Sequence, residues 1–516
     1  MSKISVQDKP RKSEYSPLIP SRTVDMGKLS EDGIATEEVP IDVEATQEPQ
    51  KKRGWISRVW GKSELDAKER KYVRKVDLYL FSYIMLGYFI KSLDQTNISN
   101  AFVSGMKEDL KLYGNQRNYL TTYFNIGIII GTVPCQMIQL KYIRPSILIP
   151  TCEILWSILV MAEAGAKNVE TLYVLRFFIG FFESCSFPGY SALLGSWYAP
   201  GQLGKRIALF EQAGALSSMF AGYLQAGLYS GLNGRGGLSG WRWMFIADSL
   251  IGIPIAVWGF WAIPDLPHNT KAFYFSKEER EYGLERMERI GRAAPRKLTW
   301  KSVKRIYTGW HLWAFIFPYV MVANAGLGPS FFNLWLKAEK YSVVLVNTIP
   351  TAGSALQVIF ALIFGTIADA SGKRMHTANA ASVCTIVANI ILAIWYVPKA
   401  ALWFAFFFSF VGNAVQPVII AWGHEITQHD AELRQLLVAT GNIFTYTFSA
   451  TLPIALFPTY DAPHYKYAYQ MLIMFGVLAI GGTYLLNYLY KRELATQKTR
   501  VTESGVVVVD RGDEEA

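Results

Sequence analysis

Gly365-Thr366-Ile367-Ala368-Asp369-Ala370-Ser371-Gly372-Lys373-Arg374 lies between two long apolar stretches. One apolar run ends at Asp369, the chain turns on glycine, two cations follow, and a second apolar run begins at once. So short a joint forces two helices to lie antiparallel. Lys373 and Arg374 assign the joint to the cytoplasmic side of a membrane, where Lys and Arg accumulate in loops. Many inter-helix turns would supply the Lys-Arg pair, but few also carry the two spaced glycines and the aspartate.

Composition agrees with a chain built of membrane helices. Of 516 residues, 51% are hydrophobic and only 18% charged, whereas soluble domains carry roughly 25% charged residues. The net charge of +10 could indicate nucleic acid, but the Lys and Arg residues sit in loops and tails between apolar runs. Retention at a lipid surface accounts for them, so the expected partner is the bilayer and no nucleic acid. Cys135, Cys152, Cys185 and Cys384 fall inside apolar segments without metal-ligand spacing and read as small buried residues. No Gly-rich phosphate loop is visible, which argues against ATP-driven pumping; no cofactor, metal or enzymatic activity is expected. The first 75 residues are polar and charged, unlike a cleavable signal peptide.

A spanning helix needs roughly 20 apolar residues, and twelve stretches qualify as candidates. Six precede residue 265: Val76–Gly105, Asn118–Ile138, Ile147–Ala164, Thr171–Trp197, Ala208–Leu228 and Trp241–Ile263. Six follow: Trp310–Trp335, Val343–Ala368, Thr377–Val397, Ala401–Trp422, Gln435–Phe457 and Tyr467–Tyr490. The expected organisation is a disordered cytoplasmic tail over 1–75, in which Glu64–Lys75 could form a charged helix. A six-helix half over 76–264, a basic central loop over 265–308, a second six-helix half over 309–490 and a tail over 491–516 complete the chain. Twelve spans put both termini on one side. The basic central loop, the cations Lys68 to Lys75 and the pair Lys491-Arg492 assign that side to the cytosol. Two six-helix halves describe an all-α transporter with its site near the midplane between repeats, and length and hydropathy alone also permit a twelve-span channel or exchanger.

Function is expected where ionisable residues interrupt apolar runs, because a charge at the centre of a span costs roughly 2.5–3.5 kcal/mol on insertion scales. Lys91 and Asp94 are three apart on the first span, share a face and can pair. Arg176 and Glu183 are seven apart on the fourth, almost two turns, with Gly180 between them leaving space for a cavity. Buried ion pairs that only fix helix register are the structural alternative. If Lys91, Asp94, Arg176 and Glu183 share one cavity, the empty site sums to zero. An entering carboxylate then takes a cation as its partner, and a proton restores neutrality. That charge balance predicts proton-coupled symport of an organic anion.

Gly365–Arg374 resembles the loop signature of the major facilitator superfamily, which implies that fold and a cytoplasmic gate built on Gly365, Asp369, Gly372, Lys373 and Arg374. Leu93–Ala101, Val103–Leu110, Arg176–Gly189, Gly195–Tyr198 and Gly237–Trp243 are similar to the fungal anion:cation symporter branch, and together look most like yeast pantothenate transporters. The resemblance implies proton coupling at Asp94 and Glu183, and anion recognition at Arg176. Gln95 stands where many relatives carry arginine, and Lys91, one turn earlier, can supply the missing charge. Gln95 and Asn97 can hydrogen-bond the substrate, with Tyr123, Asn125 and Asn324 as weaker candidates. The expectation is therefore a monomeric plasma-membrane proton symporter for a carboxylate vitamin, pantothenate foremost, with biotin, nicotinate or an allantoate-like anion as alternatives. A non-transporting nutrient receptor on the same scaffold is the alternative of another class.

Overall fold

The computed structural model describes residues 66–289, 300–427 and 431–503, all of them helix, turn or coil. Helix α1 runs Ala67–Asp109 with a bend at Ser104 and Gly105. It is followed by α2 (Gln116–Lys141), α3 (Pro145–Glu163), α4 (Val169–Glu183), α5 (Ser186–Trp197), α6 (Pro200–Leu232) and α7 (Gly240–Ala262). Two short helices come next, α8 (Lys277–Arg289) and α9 (Trp300–Thr308). The remainder comprises α10 (Trp310–Ala325), α11 (Phe332–Ala338), α12 (Val343–Ser371), α13 (Arg374–Ile394), α14 (Lys399–Asn413), α15 (Gln416–Ile426), α16 (Ala431–Leu456) and α17 (Ala468–Glu503).

Among the described residues, eight helical runs are long and apolar enough to cross a membrane: α1, α3, α7, α10 with α11, α12, α13, α14 continuing toward Gly423, and α17. The other four expected stretches, on α2, α4 with α5, α6 and α16, are helical as well. They fall outside that set of eight. Among their residues are Asn118, Asn125, Arg176, Glu183 and Gln225, all buried, and polar side chains turned inward dilute a helix's apolar character.

Three expected boundaries differ from the structure. Described residues of the supposed N-terminal tail are helical from Ala67, with Tyr72 and Val73 buried, because their apolar face packs beneath the first half. The central loop carries α8 and α9. Helix α8 opens with a reciprocal cap in which Glu279 N–H donates to Ser276 Oγ and Ser276 N–H donates to Glu279 Oε2. It is docked by Arg286, which reaches Glu69 at 2.8 Å and donates to Trp197 O and Gln202 Oε1. Partial burial would raise the Glu279 carboxyl, but its bond to Lys75 Nζ at 2.8 Å holds it below the usual carboxylate range. At the other end α17 continues past residue 490 to Glu503.

Packing divides the helices into two bundles. In the first, α2 packs on α4, α3 on α4 and α7, and α1 on α6 and α7; in the second, α10 packs on α16 and α17, and α13 on α14 and α17. Helices α6 against α12 and α2 against α16 join the bundles. The α2–α4 contact is backbone on backbone. A methyl on Gly180 would overlap Phe124 O and lie 3.2 Å from Ile128 N, and one on Gly127 would lie 2.8 Å from Phe181 N. Gly180 therefore closes a helix crossing, as small residues do in membrane bundles. It does not open the cavity expected of it.

Three helix breaks were not anticipated. The Thr171–Trp197 stretch breaks after Glu183, and Ala401–Trp422 breaks at the matching place, after Asn413. The Trp310–Trp335 stretch breaks after Ala325 into a tight turn over Gly328–Phe331.

Candidate functional site

Side chains on α1 and α4 meet at the centre of the first bundle. Arg176 Nη2 lies 2.7 Å from Glu163 Oε2 and 3.3 Å from Asp94 Oδ1. Glu183 ends α4 at the helix break, where its Oε1 accepts from Gln95 Nε2 at 2.6 Å and lies 3.8 Å from Lys91 Nζ. Asn97 Nδ2 donates to Asp248 Oδ2 at 2.5 Å. The partners thus differ from the expected ones. Asp94 pairs across helices with Arg176, while Lys91 turns to Glu183. An i,i+3 pair is worth only a few tenths of a kcal/mol, roughly 0.2–0.5, so a closely packed guanidinium readily outbids it.

All of these charged groups are withdrawn from solvent, none more than 3% exposed. Four carboxyls, Asp94, Glu163, Glu183 and Asp248, face two cations, Lys91 and Arg176, a surplus of two carboxyls. Among the described residues, each of the four keeps one oxygen without a partner: Asp94 Oδ2, Glu163 Oε1, Glu183 Oε2 and Asp248 Oδ1. Unpartnered buried carboxylate oxygens are costly, and a proton on one is the simplest remedy.

This network borders a cavity of about 250 Å³ between the bundles. The first bundle contributes Gln95, Ser99, Arg117, Asn118, Asn125 and Arg176; the second contributes Leu327, Ser330 and Phe331 from the broken α10–α11 connection, with Tyr446, Ser449 and Pro453 from α16. Gln95 and Arg176, two of the residues expected to contact substrate, line this space. Lys91 and Asn97 stand behind it, Lys91 beside the rings of Phe187 and Tyr446 at 5.8 and 5.9 Å. Asn125 lines the cavity, whereas Tyr123 is 41% exposed and stacks on Tyr173, and Asn324 bonds to Val320 O of its own helix.

Hydrogen bonds close the cavity at the end that bears residues 107–115. Asn118 Nδ2 donates to Pro453 O and Phe457 O at 2.9 and 2.7 Å, and Thr122 Oγ1 donates to Ala450 O at 2.7 Å. Asn347 Nδ2 reaches Ser104 Oγ at 2.9 Å, and Lys337 pairs with Glu108 at 2.8 Å. The sequence reads Glu163 and Asp248, acids inside apolar runs, as structural or interfacial rather than as members of this region, and it missed Arg117 altogether. Arg117 gave no such signal, since it follows Gly114-Asn115-Gln116 at a loop boundary.

The Gly365–Arg374 segment forms the turn between α12 and α13. Gly372 ends α12 at φ 64°, a left-handed conformation suited to glycine, and α13 begins two residues later. Gly365 lies inside α12 with open space where a side chain would be. Lys373 leads into α13, Arg374 is its first residue, and the side chain of Asp369 lies outside the described residues.

A family model described as Major Facilitator Superfamily matches residues 84–442. The MFS transporter PfmaC of Pestalotiopsis fici is 37% identical over 421 residues, covering 80% of this chain and 78% of that protein. The pantothenate transporter liz1 of Schizosaccharomyces pombe is 32% identical over 83% of this chain and 84% of its own length. The pantothenate transporter FEN2 of Saccharomyces cerevisiae is 33% identical over 77% and 80%. Among solved structures, the D-xylose-proton symporter superposes with a TM-score of 0.58 at 14% identity, covering 80% of this chain and 97% of that one. At that identity the likeness shows the fold alone.

Proposed function

This chain belongs to the Major Facilitator Superfamily and is a membrane transporter of small molecules, and from that premise we propose that it imports a small organic anion, pantothenate foremost, together with protons. The similarity to liz1 and FEN2 supports the choice of substrate. The observation that carries proton coupling is the surplus of buried carboxyls, each with an unpartnered oxygen, beside a cavity that both bundles line.

In this reading the twelve helical stretches all span the plasma membrane, with both termini and the Lys373-Arg374 turn in the cytosol. The closed end then faces outward. Asp94 and Glu183 are the proton-coupling groups, and Glu163 shares Arg176 with Asp94. With the carboxyls ionised, the network is negative and repels an anion. Protons taken up on it remove that repulsion, and the anion that follows stabilises them, so the two bind cooperatively. The loaded site then crosses nearly neutral, which spares the desolvation a bare charge would demand. Gln95 and Arg176 face the substrate, Lys91 sets the local charge balance, and Asn97 holds Asp248. The Gly365–Arg374 turn acts as the cytoplasmic hinge.

Uptake of radiolabelled pantothenate by cells lacking their own vitamin uptake tests the reading. Accumulation should rise as external pH falls and collapse with a protonophore. Accumulation indifferent to both would sink proton coupling. A panel of unlabelled biotin, nicotinate and other carboxylates in competition would reassign the cargo if one of them outcompetes pantothenate.

A further inference from the structure

We infer that Arg117 is the anchor for the substrate's carboxylate. The inference deepens the transport reading above and rests on it. Two arginines line the cavity, and their surroundings are opposite. Arg176 already holds Glu163 at 2.7 Å and Asp94 at 3.3 Å, so an incoming carboxylate would be its third acid. Arg117 is as deeply placed, 7% exposed, yet among the described residues it has no carboxylate within ion-pair distance.

The partners Arg117 does have are weak. Nη2 donates to Ser99 Oγ at 3.0 Å, Nη1 reaches Asn118 Oδ1 at 3.4 Å, and Nε has no partner. The rings of Phe102 and Phe331 flank the guanidinium at 5.7 and 5.4 Å, which holds its plane in place without neutralising it. A buried cation without a counter-ion is costly unless a ligand supplies the charge. A planar guanidinium receives a carboxylate in two parallel bonds, so the missing counter-ion fits the end of an organic acid. Asn125, eight residues along α2 and about 12 Å farther down its axis, also lines the cavity and keeps Nδ2 unpartnered. Both vacancies are donors. The cargo they suit is a carboxylate with a second oxygen acceptor, such as an amide carbonyl or a hydroxyl, some distance from the acid.

The location adds a consequence for transport. Asn118, next to Arg117, makes the two bonds that join the bundles at the closed end, and Phe331 comes from the opposite bundle. A carboxylate on Arg117 therefore sits where closure brings the bundles together.

The test is uptake and competition with pantothenate and panthenol, in which a primary alcohol replaces the carboxylate. In the wild-type protein panthenol should compete far more weakly than pantothenate. Arg117→Gln should raise the half-saturation concentration for pantothenate roughly tenfold to hundredfold, as loss of a charge-assisted bond does, and leave competition by panthenol unchanged. If Arg117→Gln fails to reach the surface, Arg117→Lys is measured instead. It keeps the charge but loses the bidentate fork, and a several-fold rise is expected. Carboxylate uptake by the wild type, with unchanged half-saturation in the displayed variant, overturns the assignment of Arg117 alone. Wild-type uptake of no carboxylate overturns the transport reading instead.

Discussion

Replacing Asn118 with alanine should loosen the end at which the two bundles meet. The side chain gives two hydrogen bonds to the opposite bundle, 2.9 Å to Pro453 O and 2.7 Å to Phe457 O. Each is worth about 0.5–1.5 kcal/mol net, so their loss removes about 1–3 kcal/mol from the closed form. The closed-to-open ratio should fall by roughly fivefold to 150-fold. Ser449 lines the cavity and can carry the probe. In a Ser449→Cys background, labelling from outside by a membrane-impermeant maleimide reports how often that end opens. Because the rate scales with the open population while that population is small, Asn118→Ala should speed labelling about fivefold or more. The Ser449→Cys signal minus that of the parent removes any contribution from the native cysteines. A labelling rate within twofold of the Asn118 protein, at equal surface display, would refute the assignment of these bonds as the closure that holds the bundles together.

Glu183→Gln should flatten the dependence of uptake on external pH while exchange of labelled for unlabelled substrate persists; a pH profile like that of the wild type defeats its role in coupling. Gly180→Ala and Gly365→Ala make a matched pair, since both replace a helical glycine. With open space around it, Gly365→Ala should be neutral or stabilise by up to about 1 kcal/mol, whereas overlap with the Phe124 backbone should make Gly180→Ala destabilising by about 1–3 kcal/mol. Equal melting midpoints for the two purified variants would contradict the α2–α4 contact. Arg286→Leu strands Glu69 and the Trp197 carbonyl, and should cost about 1–3 kcal/mol of stability, read as a lower melting midpoint, because Glu69 retains some solvent. Docking of α8 should also have an acid limit. The Glu279 carboxyl titrates below its free value, so its contribution is complete above about pH 4.3 and is lost as pH falls through the lower folded value, which protease sensitivity of α8 at pH 3 against pH 6 would reveal.

Hydropathy was enough to locate the long apolar helices, because a chain that spans lipid must satisfy its backbone internally, whereas α8 and α9 lie in what read as a loop. Lys91, Asp94, Arg176 and Glu183 were legible for a related reason, as charges where charge is expensive. Their pairing was not legible. Lys91 and Asp94 are neighbours on one helix, but the arginine that claims Asp94 and the glutamate that claims Lys91 come from α4. Arg117 stayed hidden because it stands at a loop boundary and one of the rings that flank it, Phe331, is supplied by the opposite bundle. The breaks after Glu183 and Ala325 lie inside apolar runs that read as continuous. In hindsight, Gly326-Leu327-Gly328-Pro329 was the one local signal of the second.

The glycine crossing between α2 and α4 bears on which parts of the machine can move. Two backbones in direct contact cannot slide past one another without collision, so Arg117 and Asn125 on one helix and Arg176 on the other hold constant separations. The carboxyl network hangs from the same rigid body. Phe331, Tyr446 and Ser449 belong to the other. On the proposed transport reading, recognition and charge balance are thus built into a stator, and the second bundle works as a shutter passing over it. On that reading, cargo meets the same Arg117, Asn125 and Arg176 from whichever side it arrives.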